Sequence, residues 1–304
     1  MRTLVNGGRV LVTGATGLIG THVLRVLPVG AEMVAVSRTP RRDGGGRVRW
    51  RVCDLTQPGS AADLVASVRP DIVIHLAGAV RGDRSLEAVG PTLHANLVAT
   101  VELLEAATRA SCHRIVLSGS QLEEPAAGGH DAIPPSPYGA SRWASSAYGR
   151  MFQAVFGTPV VILRPQYVYG PGQRTTFLIP HVISALLDGR NPQLSAGERM
   201  LDCVYAEDVA HAYVAAADAP GVEGDTIDIG SGSQTSVRRI VELIVEYVGA
   251  GTGRPIFGAL PQRPLEQFVQ TDVDETARVL GWRATTGLEE GLRRTVDWYR
   301  AQLS

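Results

Sequence analysis

The chain has 304 residues, of which 44% are hydrophobic and 19% charged, so it can bury a large core with an attached lobe and is too apolar to be disordered. A formal net charge of −1 leaves no electrostatic footprint for nucleic acid or an anionic membrane. No run of about 18 apolar residues marks a bilayer span, and the first residues lack the apolar stretch and cleavage site of a secretory signal. Cys53, Cys112 and Cys203 are odd in number and far apart. They read as small hydrophobes in a reducing cytoplasm and not as a disulfide framework or metal site. Every one of the 29 basic residues is arginine, which rules out a Schiff base or a lysine general base.

The first strand is expected at 9–12, directly before a glycine cluster. Further apolar, β-branched runs at 32–36, 48–55, 72–76, 114–117 and 159–163 have the same look. Helical patterns lie between them, as at 100–108 with Val101, Leu104 and Ala107 on one side. Strands alternating with helices predict a parallel sheet covered on both faces. After Arg164 the pattern loosens and proline and glycine recur, at Pro165, Pro171, Pro180 and Pro192 among others. A helix is expected at 205–217, a seventh strand at 226–229 closed by Gly230-Ser231-Gly232, and two more helices at 237–248 and 288–302. There is no internal repeat. The expectation is an α/β, Rossmann-type, doubly wound and mostly parallel seven-stranded sheet with a smaller C-terminal lobe. Residues 1–165 would form the dinucleotide-binding domain, with 204–230 returning to it, and 166–203 with 231–304 would form the substrate lobe.

Thr13-Gly14-Ala15-Thr16-Gly17-Leu18-Ile19-Gly20 follows the first strand and opens a helix. Gly14 permits the tight turn, Gly17 lets backbone approach a pyrophosphate, and Gly20 lets the helix pack close to the strand. The free N–H groups of the helix start, at Thr16 to Ile19, then face the phosphates. An acidic residue about 20 residues on would hold the ribose 2′-OH of NAD. Ser37-Arg38 stands there, with Arg41 and Arg42 following and Asp43 as the next carboxylate. A guanidinium suits a 2′-phosphate through charge-assisted bonds. The expected cofactor is therefore NADP(H), and with it a reductive role.

Cys53-Asp54-Leu55, His75-Leu76-Ala77-Gly78, Asn96, Tyr138-Gly139-Ala140-Ser141-Arg142, Arg164-Pro165, Val168-Tyr169-Gly170-Pro171-Gly172 and Tyr205-Ala206-Glu207-Asp208-Val209 follow in order. With the glycine turn, this series resembles the extended short-chain dehydrogenase/reductases, the nucleotide-sugar epimerase, dehydratase and reductase group, over nearly the whole chain. Within that group it is most like the reductases of nucleotide-linked 4-keto-6-deoxyhexoses. The resemblance implies that Asp54 and Leu55 hold the adenine, and that Ala77, Gly78, Asn96, Ser118, Pro165 and Val168 line the cofactor. Ser120 matches the catalytic Ser/Thr and Tyr138 the catalytic tyrosine. The chemistry agrees: reducing a ketone needs a hydride donor on one side and a proton donor on the other. A positive charge beside a tyrosine draws its titration toward the working pH, and a serine can hydrogen-bond the developing alkoxide. Ser136 can cap the helix, Pro137 suits its first position, and Tyr138 and Arg142 are then i and i+4.

Three departures qualify the likeness. The family's Tyr-x-x-x-Lys is Tyr-x-x-x-Arg here, and Arg142 keeps the charge without a proton to release. A retuned catalyst, a slow one and a binding protein without turnover are all open on this point. Tyr167 replaces an asparagine, and Leu201 stands where an arginine often precedes Asp202, with Arg199 nearby. Arg263 matches a second diphosphate arginine. Tyr167, Arg199, Arg263 and Ser120 are therefore the expected substrate contacts. Gln121-Leu122 follow Ser120 where dehydratases carry an Asp-Glu pair, and Glu123 and Glu124 read as loop charges, which argues against dehydration. The resulting expectation is NADPH-dependent reduction of a keto group on a nucleotide-linked 4-keto-6-deoxy sugar. Alternatives are an epimerase with tightly held NAD(P), a reductase of another small carbonyl compound, and a dinucleotide sensor. No metal is expected. The family likeness also implies a homodimer, with helices near 92–110 and 138–156 forming a four-helix bundle across a two-fold axis. Ala144, Ala147 and Gly149 would permit the close approach.

Overall fold

The computed structural model describes residues 5, 7–41, 46–80, 84–123, 133–249, 253–261 and 271–303. Its main sheet contains β1 (Arg9–Thr13), β2 (Glu32–Ser37), β3 (Val48–Val52), β4 (Ile72–His75), β5 (Arg114–Ser118), β6 (Val160–Pro165) and β9 (Thr226–Ile229), ordered β3-β2-β1-β4-β5-β6-β9. Every pairing in it is parallel. All four residues of β4 are buried, as are the first four of β5 and β6, so these strands are mainly apolar on both faces instead of alternating. Edge strand β3 alternates and carries Arg49 and Arg51, charges that discourage edge-to-edge pairing. Strand order reverses between β1 and β4, and the crevice at the carboxyl ends of those strands is where such sheets bind ligands.

Helices α1 (Leu18–Val26), α7 (Ala206–Asp218) and α9 (Val273–Leu280) cover one face of the sheet. Helices α2 (Ser60–Val68), α4 (Ala99–Arg109) and α5 (Pro137–Phe156) cover the other. A short helix α3 (Val89–Thr92) enters α4 through a π-helical turn, Leu93–Val98. A second sheet, β10-β8-β7, pairs β8 (Met200–Tyr205) parallel to β7 (Tyr167–Tyr169) and antiparallel to β10 (Gln234–Ser236). It shares its own apolar cluster with α6 (Leu178–Leu187), α8 (Val237–Val248) and α10 (Leu288–Ala301).

The expected strand at 48–55 stops at Val52, because the chain turns out after Cys53 donates its N–H to the Ser37 carbonyl. The expected helix at 205–217 starts one residue later, since Tyr205 ends β8. Helix α6 falls in the segment read as loosened. Pro180 stands in its first turn, where a missing N–H costs nothing. Gly149 does not belong to an outward stripe on α5. A Cβ there would lie 2.9 Å from Leu117 Cδ1 and 3.2 Å from Ile162 Cδ1, so it lets α5 lie close on the sheet. Ala147 is exposed and Ala144 partly so.

Candidate active site

The glycine turn is built by exclusion. At Gly14, with φ +64°, a Cβ would fall 2.5 Å from the Leu76 carbonyl carbon and 2.6 Å from the Ala77 nitrogen. At Gly20 it would meet the Gly14 oxygen at 2.3 Å. The turn is closed by the Gly17 N–H donating to the Gly14 carbonyl at 2.9 Å, and Gly17 is the N-cap of α1. A glycine cap has no side chain to satisfy the first N–H groups of the helix, and Thr16 and Gly17 are exposed. Leu18 and Ile19 are partly buried, Ile19 against the core beneath α1. These are the features of an anion cradle at a helix start.

Next to β1, on the same side of the switch point, β2 ends at buried Ser37, whose Oγ accepts from the Thr39 N–H at 3.2 Å. Arg38 is exposed beside it, and Arg41 lies over the Trp50 ring at 5.6 Å. The Thr56 N–H and hydroxyl hold the Asp54 carboxyl below its ordinary range, with the Arg38 charge adding to the effect. Leu55 is buried next to it. Arg42, Asp43, Glu124 and Arg263 lie outside the described residues.

The third wall joins four elements. Asn96, in the π turn, accepts from the Ala79 N–H at 2.7 Å and donates to the Ala79 carbonyl at 3.3 Å and to Ser141 Oγ at 2.9 Å. A Cβ on Gly78 would sit 2.1 Å from Arg142 Nη2 and 2.7 Å from Asn96 Oδ1. Arg142 therefore packs on bare backbone. It is 2% exposed, donates from Nη1 to the Ser118 carbonyl at 2.8 Å, and lies 5.7 Å from the centre of the Tyr138 ring, a cation–π contact. Its buried Nε has no partner among the described residues. The glycine cradles and this spare donor fit a dinucleotide whose ribose hydroxyls would reach Arg142.

Tyr138 sits at the second position of α5, where local sequence fixes it. Ser136 Oγ accepts from the Gly139 N–H at 3.1 Å, and Pro137 begins the helix. A Cβ on Gly139 would fall 2.4 Å from the Leu122 carbonyl, so this glycine lets the helix start close on the loop after Ser120. Ser120 Oγ accepts from the Leu122 N–H at 3.2 Å. That bond fixes the oxygen and leaves its proton to be donated. Pro165 is buried, and its carbonyl accepts from the Gln121 N–H at 3.3 Å. Val168 packs partly buried against the core.

Two buried polar groups beside these residues were not anticipated. His75 Nδ1 lies 2.7 Å from Thr13 Oγ1, and Nε2 lies 3.0 Å from Thr100 Oγ1. Thr100 gives its one proton to the Asn96 carbonyl, so it accepts from Nε2, and Thr13 donates to Nδ1. Burial, with the Arg142 charge adding, lowers the imidazole to about 3, so His75 is a neutral brace. Its place in the His-Leu-Ala-Gly run was the available signal. Glu123 corrects a reading: it is no loop charge. It is 1% exposed, with Oε1 accepting from the Ser120 N–H at 2.7 Å.

On the lobe side, Tyr167 pairs in register with Cys203, and its phenol lies against the first turn of α6 at Leu178 and Ile179. Burial raises that phenol, and the Arg199 charge opposes the shift, so the two residues are near each other. Gln121 Oε1 and Gln166 Oε1 are buried acceptors without partners among the described residues.

Comparison with known proteins gives a consistent result. The model of the NAD dependent epimerase/dehydratase family matches residues 10–230. A dTDP-glucose 4,6-dehydratase of Actinoplanes sp. is 30% identical, over 97% of this chain and 99% of its own. A UDP-glucose 4-epimerase of Mycolicibacterium smegmatis is 29% identical, over 96% and 98%. Among solved structures, MoeE5 in complex with UDP-glucuronic acid and NAD is similar with a TM-score of 0.86 at 32% identity, covering 97% of this chain and 100% of that one. With the sheet order, the glycine turn and the Ser120–Tyr138–Arg142 wall, these matches show that the chain belongs to the NAD dependent epimerase/dehydratase family, among the extended short-chain dehydrogenase/reductases.

Proposed function

We propose that the chain reduces a keto group on a nucleotide-linked sugar, of the 4-keto-6-deoxy class, at the expense of NADPH, with Tyr138 as proton donor. The observation that carries the reductive reading is the end of β2: buried Ser37 and exposed Arg38 stand where a carboxylate would select NAD. The nucleotide-sugar part rests on relatives named for dTDP-glucose and UDP-glucose. The nicotinamide, when bound, supplies the hydride. Ser120 donates its free hydroxyl proton to the oxygen under reduction, and Tyr138 delivers the proton that oxygen takes up. Arg142 holds positive charge against the Tyr138 ring and donates to ribose hydroxyls. Tyr167, Arg199 and Arg263 are assigned to the substrate, in a lobe made of 166–203 and 231–304 apart from α9, which packs on the main sheet. Dehydration is disfavoured, since Gln121 and Leu122 follow Ser120 and the Glu123 carboxyl is turned inward. The free cysteines fit a reducing cytoplasm.

A second reading is a nucleotide-sugar epimerase with retained NAD. It is favoured by the 32% identity to MoeE5, whose complex holds UDP-glucuronic acid and NAD. One experiment separates the two. Stoichiometric loss of NADPH on addition of a nucleotide-linked 4-keto sugar supports the reductase. Interconversion of two nucleotide sugars with no net change in cofactor supports the epimerase. NADPH should also bind more tightly than NADH. Arg38→Ala should weaken NADPH by roughly 1.5–3 kcal/mol, the value of hydrogen bonds to a charged group, and leave NADH nearly unchanged. Equal affinities in the unmutated protein would remove the NADP preference.

We further propose a homodimer through α3–α4 and α5. Val89, Leu93 and Val98 on one side and Tyr148, Val155 and Phe156 on the other are exposed apolar side chains, an arrangement that favours burial against a second copy. Light scattering should give twice the monomer mass, and a concentration-independent monomer would refute the pairing.

A further inference from the structure

Beneath the Gly119–Ser120 turn lies a carboxyl that the proposed chemistry does not use. One bond ties it to Ser120, and two more fold the same turn. Glu123 Oε1 accepts from the Ser120 N–H at 2.7 Å, the Glu123 N–H donates to the Ser120 carbonyl at 3.1 Å, and the intervening Leu122 N–H pins Ser120 Oγ. Gly119 makes the room: a Cβ there would fall 2.4 Å from Glu123 Oε1 and 3.0 Å from Arg164 Cγ. The Ser146 hydroxyl is a further hydrogen-bond partner of the carboxyl. Ser146 is one turn beyond Arg142 on α5, as Arg142 is one turn beyond Tyr138, so the three share a stripe of the helix.

We propose that Glu123 is a positioning residue for Ser120: its buried carboxyl clamps the Gly119–Ser120 turn onto α5 and holds a proton or a negative charge beside Arg142 without moving a heavy atom. The inference rests on the hydride-transfer reading of the site. The Ser146 hydroxyl makes it possible. It donates to an ionised carboxylate, and by rotating it accepts from a protonated one, while Oε1 keeps the Ser120 N–H throughout. The charged and titratable groups around Glu123 are Arg142 on α5, Arg164 on β6 and Tyr213 on α7. Arg164 is itself paired with Asp228 at 2.8 Å, and Tyr138 lies within reach of Tyr213. Burial raises the Tyr213 phenol, so it stays neutral. Burial also pushes the Glu123 carboxyl up to about 7, against the lowering effect of Ser146, the Ser120 N–H and the two arginines. A raised carboxyl makes the folded state bind the extra proton. Stability contributed by this group is therefore present at low pH and lost as pH climbs from the ordinary carboxylate range through about 7.

The test compares the full-length parent with Glu123→Gln and Glu123→Leu, in cofactor affinity, melting temperature and turnover from pH 5 to 9. Turnover is measured in whichever of the two reactions above the parent performs. Glu123→Gln keeps an acceptor for the Ser120 N–H and cannot ionise. It should hold kcat within a few-fold, lose the parent's inflection near neutrality, and melt increasingly above the parent as pH rises. Glu123→Leu fills the space without an acceptor. It should lose at least about 10-fold in kcat, the cost of a misplaced reacting group, with cofactor affinity unchanged. A Glu123→Gln profile that keeps the parent's inflection overturns the inference, as does a folded Glu123→Leu with parental kcat. If Glu123→Leu does not fold, the Glu123→Gln profile alone decides. A parent that performs neither reaction overturns the functional reading and this inference together, whereas an active parent with indifferent variants overturns this inference alone.

Discussion

Tyr138→Phe is expected to bind NADPH as the parent does and to lose at least about 100-fold in turnover, the low end for removal of a general acid. The substitution deletes one oxygen and little else. The ring is 8% exposed and stays packed, the Ser136 cap to the Gly139 N–H does not involve the phenol, and the guanidinium of Arg142 keeps an aromatic face 5.7 Å away. Fluorescence titration of the cofactor and steady-state turnover of a nucleotide-linked keto sugar measure the two quantities separately. A variant that binds normally and turns over within 10-fold of the parent removes Tyr138 from the proton transfer.

Arg142→Ala should lose on both counts. The chain has no lysine, and Arg142 is the basic residue one helical turn from Tyr138 on the same face. Its Nη1 holds the Ser118 carbonyl at the end of β5, and Nη2 lies at the Gly78 backbone. On the proposed binding mode truncation would remove charge-assisted bonds to the ribose worth about 1.5–3 kcal/mol, so cofactor affinity should fall about 10- to 150-fold, with turnover falling at least as far. Arg142→Lys restores a charge on a shorter stem. It should regain most of the turnover but not the planar contact with Gly78 and Ser118. An unchanged rate and pH profile in Arg142→Ala would make the arginine purely structural and withdraw the proton chemistry assigned to α5.

The parts of the molecule legible in the sequence are those where one residue type is forced. Gly14 and Gly20 stand where any side chain would strike backbone, and Ser136-Pro137 announce a helix start that is realised at Pro137. The buried strands show as mainly apolar runs because both of their faces are covered. Helix α6 was illegible for the opposite reason. It is apolar nearly all round, and its proline in the first turn imitates a loop. Glu123 was misread because adjacent glutamates normally mark solvated chain. What reverses that reading is Gly119, four residues earlier, whose missing side chain admits the carboxyl under the turn. That spatial relation cannot be seen before the strand end is folded. Gly149 was assigned outward on composition, yet the rotation of α5 that buries Ser145 and Ser146 turns it to the sheet.

The π turn at Leu93–Val98 has a mechanical consequence. The Asn96 carbonyl within it accepts from two hydroxyls: Thr100 from the same helix and Ser145 from α5. The Asn96 side chain reaches in the same stretch to Ser141 and to the backbone of Ala79. Two helices and a sheet terminus are thus riveted at a single depth, and close-packed elements so fastened have no inexpensive way to slide. Any change in cleft width must be absorbed elsewhere. The chain crosses into the small sheet at Pro165–Tyr167, leaves it at Tyr205–Ala206 and enters it again between Ile229 and Gln234, so the lobe is joined to this fastened floor by short segments of chain.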